Sequence, residues 1–225
     1  MIADNLKIVT QRIAGACEKI GRLPEHIELV CVTKEASLGQ IEEVLDLGVQ
    51  NLGENRVQDA ILKYRAIGDK AIWHLVGHLQ TNKVKYAIKT FSLIHSVDST
   101  YLARQIDKEA KKLNKIQDIL VQVNTSGEVT KFGISQGAVM GFLKEISLYP
   151  NIIIKGLMTI APEVEDPELA RPYFRLLREL RDKINEQRIT KDELPILSMG
   201  MTNDFEVAIE EGANMVRIGR AIFQR

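Results

Sequence analysis

Short apolar runs alternate with amphipathic stretches along the chain, and this alternation limits the fold more than any other feature. Runs rich in Val, Ile and Leu are typical of strands that are buried on both faces. Each run is followed by a stretch in which apolar residues recur at helical spacing. The predicted strands are residues 28–33, 49–52, 72–76, 93–97, 119–123, 152–157, 195–199 and 215–218.

Strands that are apolar on both faces and alternate with helices form a parallel sheet covered by helices. Eight such units within 225 residues predict an α/β fold, a single (β/α)8 TIM barrel. Residues 5–21 have helical spacing ahead of the first strand, so we expect an extra N-terminal helix. An open, doubly wound sheet is the alternative. Because no linker or low-complexity stretch interrupts the alternation, we expect one domain over residues 1–225.

The composition limits the partners and the compartment. The formal net charge is zero, so no overall basic field would hold nucleic acid or an anionic membrane. We find no apolar run of membrane-spanning length and no signal peptide at residues 1–7. Cys17 falls on a predicted helix and Cys31 in the first strand, where we expect reduced core residues. These features predict a cytoplasmic protein without nucleic-acid or membrane partners.

Lys34 directly follows the first predicted strand. In a barrel the active site lies at the carboxyl ends of the strands, where a lysine can face a pocket. A lysine that is partly removed from water loses its proton more readily, and the neutral amine can attack an aldehyde to form a Schiff base. A surface lysine that happens to follow a strand is the alternative.

The loops after the last two strands, residues 198–204 and 217–220, both lead into predicted helices. Free backbone N–H groups and helix dipoles there favour an anion, and barrels often bind phosphate at this position. The alternative is that Thr202 or Asn203 is only an N-cap and Gly219 only a tight turn. Asp204 favours that alternative, because its carboxylate would compete with a phosphate.

An amine and a phosphate site on one rim suggest an aldehyde that carries a phosphate. Pyridoxal phosphate (PLP) fits, and so does a sugar phosphate in a Schiff-base aldolase. Arg217 favours the first, because a permanently charged guanidinium would donate to a pyridine nitrogen and keep it unprotonated. Such a ring is a weak electron sink, which disfavours transaminase-like chemistry. A surface arginine or a partner for a carboxylate is the alternative.

Seven blocks of sequence resemble, in order, the YggS/PROSC family of pyridoxal-phosphate-binding proteins, the pyridoxal phosphate homeostasis proteins. Each block alone would be a weak signal, whereas seven in the same order are specific. The blocks are Val-Thr-Lys (32–34), Gly-Glu-Asn-Arg-Val-Gln (53–58), Trp-His-Leu-Val-Gly-His-Leu-Gln-Thr-Asn-Lys (73–83), Val-Asn-Thr-Ser-Gly-Glu (123–128) with Lys131 and Gly133, Gly-Leu-Met-Thr-Ile (156–160), Ser-Met-Gly-Met-Thr-Asn-Asp (198–204) and Val-Arg-Ile-Gly-Arg-Ala-Ile-Phe (216–223).

The resemblance implies a barrel like the alanine racemase N-terminal domain, a fold-type-III PLP protein. It implies that Lys34 holds PLP as a Schiff base and that Arg217 lies at the pyridine nitrogen. The phosphate would be held near Thr202, Gly219 and Arg220. Further family positions that line the cofactor pocket match Asn55, His78, Met158, Ser198 and Met201.

The sequence departs from the family pattern at two places. Thr202 stands where members usually have Ser, which keeps the hydroxyl. Gln224 replaces the usual Gly after Phe223, and the sequence ends at Arg225, so we expect a shortened final helix or tail. The phosphate loop precedes this change and should be unaffected.

The resemblance implies a PLP carrier in intracellular PLP homeostasis, without robust catalytic turnover. We expect a monomer, with PLP-dependent apoenzymes as recipients. The alternative is an amino-acid racemase of the alanine racemase type, which uses the lysine and a tyrosine from a second domain. No tyrosine falls in a strand-end block here; the five are Tyr64, Tyr86, Tyr101, Tyr149 and Tyr173. A Schiff-base aldolase is a distant third. We expect no metal site, because His78 lacks further ligands at suitable spacing.

Overall fold

The computed structural model describes residues 1–128 and 130–224 of the chain. Within these residues an eight-stranded parallel barrel is surrounded by helices. Eight of the described strands form the ring, and one short strand lies outside it. The strands are β1 (Glu28–Val32), β2 (Asn51–Glu54), β3 (Ile72–Leu75), β4 (Leu93–Val97), β5 (Gln117–Asn124), β6 (Ile134–Ser135), β7 (Ile152–Met158), β8 (Ile196–Ser198) and β9 (Met215–Ile218).

Parallel pairing closes the sheet into a barrel. The strand order is β4-β3-β2-β1-β9-β8-β7-β5, and β4 also pairs with β5. The first and last strands, β1 and β9, pair over four consecutive residues, from Glu28 opposite Met215 to Cys31 opposite Ile218. The two-residue strand β6 lies outside the ring, pairs only with β5 among the described residues and was not among the predicted strands. The predicted TIM barrel is confirmed, and the open sheet is excluded.

Helices cover the outside of the barrel. They are α1 (Ile2–Lys19), α2 (Leu38–Asp46), α3 (Val57–Ile67), α4 (Val84–Thr90), α5 (Thr100–Lys112), α6 (Val139–Ile146), α7 (Arg171–Glu186), α8 (Phe205–Glu210) and α9 (Arg220–Phe223). The extra N-terminal helix α1 lies against α8 and α9. A capping box between Ser37 and Gln40 sets the start of α2. The described part of the final helix, α9, ends at Phe223; Arg225 lies outside the described residues.

The apolar core has two parts. The larger part lies between the barrel and the helices and includes Trp73, Phe91 and Phe174. The smaller part lies inside the ring, where Met158 and Met215 are buried. The expectation that the strands are apolar on both faces is wrong for the interior, where a buried polar layer is formed by His74, His95, Ser198 and Arg217. Their hydrogen bonds to one another allow this burial.

The helices and the two cysteines bear on the expectations about membranes and redox state. No helix within residues 1–128 and 130–224 has the length and hydropathy that a membrane span requires. Cys17 and Cys31 are both free and buried, as expected, and burial raises the pKa of the Cys31 thiol to about 12.

Candidate functional site

A cavity of about 490 Å³ lies at the carboxyl ends of the strands. This is the end at which a parallel barrel carries its loops, and therefore its functional groups. Seven of the ten predicted site residues lie on the cavity wall: Lys34, Asn55, Met201, Thr202, Arg217, Gly219 and Arg220. The loops after the neighbouring strands β1, β9 and β8 thus bring the amine and both predicted phosphate turns to one space.

A buried polar cluster fixes the end of β1 immediately before Lys34. Thr33 Oγ1 donates to Glu54 Oε1 at 2.5 Å. Lys63 on α3 donates from Nζ to the same carboxylate oxygen at 2.7 Å and to the carbonyl oxygen of Thr33 at 2.6 Å. The Glu54 side chain is fully buried, while its Oε2 has no partner among the described atoms. This cluster holds the backbone from which the Lys34 side chain starts.

The amine of Lys34 is accessible and only weakly restrained. Its side chain is 46% exposed, and Nζ lies 3.6 Å from Glu35 Oε1, in an ion pair whose carboxylate is 64% exposed. Ion pairs that are this exposed contribute little. The amine can therefore leave Glu35 and reach a ligand in the cavity.

The turn at Gly219 lies against β1. A Cβ atom added to Gly219 would be 2.8 Å from the carbonyl oxygen of Val32 and 3.2 Å from its Cβ. The close approach to Val32 is what requires glycine here. The backbone angle does not, since a φ of −124° suits any residue. The contact places the start of α9 beside the strand that ends in Lys34. Since α9 has four residues, the expected contribution of its dipole is small, and the turn offers backbone amides instead.

The loop before α8 has the form expected of an anion-binding turn. Gly200 has a φ of +91°, and a Cβ there would be 2.8 Å from Phe205 Cα, so the loop requires glycine. The amides of Thr202 and Asn203 find no acceptor among the described residues. The N-cap residue of α8 is Asp204, so Thr202 and Asn203 are not the N-cap.

The carboxylate of Asp204 is turned into its own loop. Its Oδ1 accepts from the Met201 amide at 2.6 Å, and burial raises the pKa of its carboxyl group. The expected competition with a phosphate is thereby reduced, because the carboxylate is already engaged.

Arg217 is buried in the barrel interior, with 4% of its surface exposed. Its Nη1 donates to Ser198 Oγ at 2.7 Å and its Nη2 to the carbonyl oxygen of Thr159 at 2.9 Å. Burial lowers the pKa of its guanidinium to about 10, against an opposing influence of Asp204, so the group stays charged at neutral pH. The surface-arginine alternative is wrong.

Three predicted site residues lie away from the cavity wall. Met158 and Ser198 are fully buried inside the ring. His78 stacks on Phe132 at a centroid distance of 4.0 Å and lines a smaller depression with Asp98. Contact between these three side chains and a ligand in the cavity stays a prediction.

The cavity also has a wall that the strand-end analysis did not single out. Residues 160–164 and Pro167, from the loop after β7, form this wall together with Lys131. Except for Glu163, the side chains of residues 160–164 are apolar. The sequence signal that could have identified this wall is the family resemblance, which includes the Gly-Leu-Met-Thr-Ile block (156–160) and Lys131. Within residues 1–128 and 130–224, no group of three ligating side chains could hold a metal ion.

Comparison with known proteins places the chain in a family. The family described as "Alanine racemase, N-terminal domain" matches residues 7–224. A protein of Aquifex aeolicus named "Pyridoxal phosphate homeostasis protein" is 47% identical over 221 residues, which cover 98% of this chain and 96% of that protein.

Solved structures agree. The structure of PipY from Synechococcus elongatus, with PLP bound, has a TM-score of 0.83 at 32% identity and covers 94% of this chain and 99% of PipY. Alanine racemase of Clostridium difficile has a TM-score of 0.76 at 21% identity, covering 99% of this chain and 57% of the racemase; this likeness shows the fold alone. The chain therefore belongs to the family of pyridoxal phosphate homeostasis proteins, with the fold of the alanine racemase N-terminal domain.

Proposed function

We propose that this protein binds pyridoxal 5'-phosphate, holds it as a Schiff base on Lys34 and serves intracellular PLP homeostasis without robust catalytic turnover. The observation that carries the proposal is one cavity with Lys34, Arg217 and the Gly219 turn on its wall. The family supports it, since one relative is named for PLP homeostasis and the PipY structure contains PLP.

The groups on the wall fit PLP chemically. PLP carries an aldehyde that condenses with an amine, a pyridine ring and a phosphate. Lys34 offers an accessible amine. Thr202 offers a hydroxyl and an amide without an acceptor among the described residues, and Arg220 offers a cation on the same wall. Arg217, as a buried and permanent donor, suits an unprotonated ring nitrogen.

The exposure of the amine supports a role in holding and releasing the cofactor. Catalysis of carbanion chemistry benefits from a site that excludes water, whereas the Lys34 side chain is 46% exposed. No tyrosine is among the residues that line the cavity in the described parts of the chain. The racemase alternative would need a second base from elsewhere.

We further propose a monomeric, cytoplasmic protein in which residues 1–225 act as one PLP-binding domain and PLP-dependent apoenzymes receive the cofactor. The cytoplasmic location is supported by the two buried, free cysteines Cys17 and Cys31. The accessible amine supports transfer to a recipient, because an incoming amine can reach a ligand held at the mouth of the barrel.

Titration of the apoprotein with PLP tests the proposal. We expect a yellow complex with one PLP per chain for the wild type, and loss of the visible band for Lys34→Ala. Lys89→Ala removes an exposed lysine on α4 and is the matched control; it should bind as the wild type does. A visible band of wild-type intensity in Lys34→Ala would refute the assignment.

Deuterium exchange separates carrier from racemase. We expect the PLP complex, incubated in deuterated water with L- or D-alanine, to leave the Cα hydrogen and the optical purity unchanged over many hours. Exchange at Cα with loss of optical purity, in molar excess over the protein, would establish racemase activity instead.

A further inference from the structure

A continuous line of hydrogen bonds crosses the interior of the barrel and ends at Arg217. We call it the interior chain; its members, from β2, β3, β4, β8 and β9, are Asn51, His74, His95, Ser198 and Arg217. The successive heavy-atom distances are 3.1, 3.0, 3.0 and 2.7 Å. The two histidines are 3% and 0% exposed.

The direction of these hydrogen bonds can be derived from the Arg217 end. A guanidinium only donates, so Ser198 Oγ accepts from Arg217 Nη1. The hydroxyl proton of Ser198 is then directed to the remaining neighbour, His95 Nδ1, at 3.0 Å. His95 Nδ1 must therefore carry a lone pair, and the proton of the neutral ring lies on Nε2, from which it is donated to His74 Nδ1.

The opposite end gives the same direction independently. The amide nitrogen of Asn51 is directed to the carboxylate of Glu28 at 3.5 Å, which leaves the Asn51 carbonyl oxygen facing His74 Nε2. His74 therefore donates from Nε2 and accepts at Nδ1. Both derivations assign the proton to Nε2 in both rings.

A second proton on either ring would break the interior chain. On His74 it would set two N–H groups against each other, and on His95 it would leave the Ser198 proton without an acceptor. Burial lowers the pKa of His74 to about 4. The pKa of His95 lies well below its usual value, first through burial and further through the neighbouring His74 ring and the charge of Arg217. The remaining charged groups near the two ends are Glu28 and Asp204.

We propose that Asn51, His74 and His95 are positioning residues for Arg217, which they orient through Ser198 as a fixed, charged donor toward the ring nitrogen of PLP. In every bond of the interior chain the donor lies on the Arg217 side and the acceptor on the Asn51 side. Each accepting atom therefore turns its lone pair toward Arg217, and the aligned dipoles support the cation where water is excluded. The orientation of Arg217 rests on the proposed PLP site, whereas the direction of the interior chain does not.

Nitrogen-15 NMR of histidine-labelled apoprotein tests the chain itself. We expect His74 and His95 to be neutral, with the proton on Nε2, throughout the range from about pH 8 to about pH 5.5. Exposed His26 provides the reference signal. Ser198→Ala should shift the Nδ1 resonance of His95, because its donor is gone. Ser96→Ala removes a buried hydroxyl on the same strand as His95 that bonds to Gly77 instead, and should leave that resonance in place.

The link to Arg217 is tested with PLP and two substitutions of one residue. His95→Phe removes both nitrogens, and we expect it to weaken PLP binding by about tenfold and to shift the visible band, as loss of one hydrogen bond to a charged group would. His95→Gln can still accept from Ser198 and donate to His74, and we expect it to restore the wild-type band. The thermal midpoint of each variant is measured in parallel.

The outcomes are distinguishable. A proton on Nδ1 of either histidine, or protonation of either ring above about pH 5.5, would overturn the interior chain whether or not PLP binds. Wild-type affinity and an unchanged band in a folded His95→Phe variant would overturn its role in positioning Arg217. Absence of PLP binding by the wild type would overturn the proposed function and the positioning role, and the NMR result would still decide the direction of the chain.

Discussion

The buried cluster beside Lys34 allows a quantitative prediction. Lys63→Met replaces the ammonium group by an apolar side chain of similar length. It removes the 2.7 Å bond to Glu54 and the 2.6 Å bond to the Thr33 carbonyl. Glu54, whose side chain is fully buried, keeps only the hydroxyl of Thr33 as a donor. A buried carboxylate is thereby left without a countercharge.

The expected loss of stability is large. Removal of one partner from a buried ion pair costs about 3–5 kcal/mol. We expect about 3 kcal/mol here, because the Thr33 hydroxyl still satisfies one oxygen. In a chain of this size, about 3 kcal/mol lowers the thermal midpoint by roughly 6–12 °C. The end of β1 also loosens, so PLP binding at Lys34 should weaken.

The assay is urea unfolding followed by circular dichroism, with two matched variants. Lys89→Met changes an exposed lysine on α4 and should alter stability by less than about 0.5 kcal/mol. The double variant Glu54→Leu with Lys63→Met removes both charges and should recover at least half of the loss, since an apolar pair needs no countercharge. A loss below about 1 kcal/mol for Lys63→Met alone would refute the reasoning.

Three further predictions follow from the same structure. Gly219→Ala should lose about 2 kcal/mol of stability through contact with the Val32 carbonyl and should weaken PLP binding, whereas Gly39→Ala, which meets nothing within 4 Å, should not destabilise; urea midpoints and PLP titration compare them. Because the pKa of His95 is lowered in the folded state, its contribution to stability is complete above the unfolded pKa of about 6.5 and is lost as the pH falls, at up to about 1.4 kcal/mol per pH unit. Between about pH 6.5 and pH 5, the free energy of unfolding of His95→Gln, measured with urea, should therefore depend on pH less steeply than that of the wild type, by up to this amount. An unchanged slope would contradict the reasoning. Both cysteines are buried, so a thiol reagent should react only after unfolding; stoichiometric reaction in the native state would contradict that burial.

Local sequence patterns predicted the barrel because each strand is a short apolar run followed by an amphipathic helix. The ranges 93–97 and 215–218 agree with β4 and β9 as observed. The strand β6 was missed, because two residues are too few for a periodic signal. The strand-end rule likewise placed Lys34 and the two glycine turns on one cavity, because all parallel strands of a ring end on the same side.

The polar interior could not be predicted from local patterns. His74 and Ser198 are the only polar residues in β3 and β8, and His95 has only Ser96 as a polar neighbour in β4; only closure of the ring brings the three within hydrogen-bond distance. The strand-end rule also cannot say on which face a terminal side chain falls. Met158 ends β7 inside the ring and is not among the residues that line the cavity, whereas Arg217, also inside the ring, lines it.

Reductive trapping tests the central claim most directly. The protein is incubated with PLP, reduced with borohydride, digested and mapped by mass spectrometry. We predict that the phosphopyridoxyl group is found on the peptide that contains Lys34 and that Lys131, on the same cavity wall, remains unmodified at equimolar PLP. Modification spread over exposed lysines, or confined to Lys131, would contradict the account.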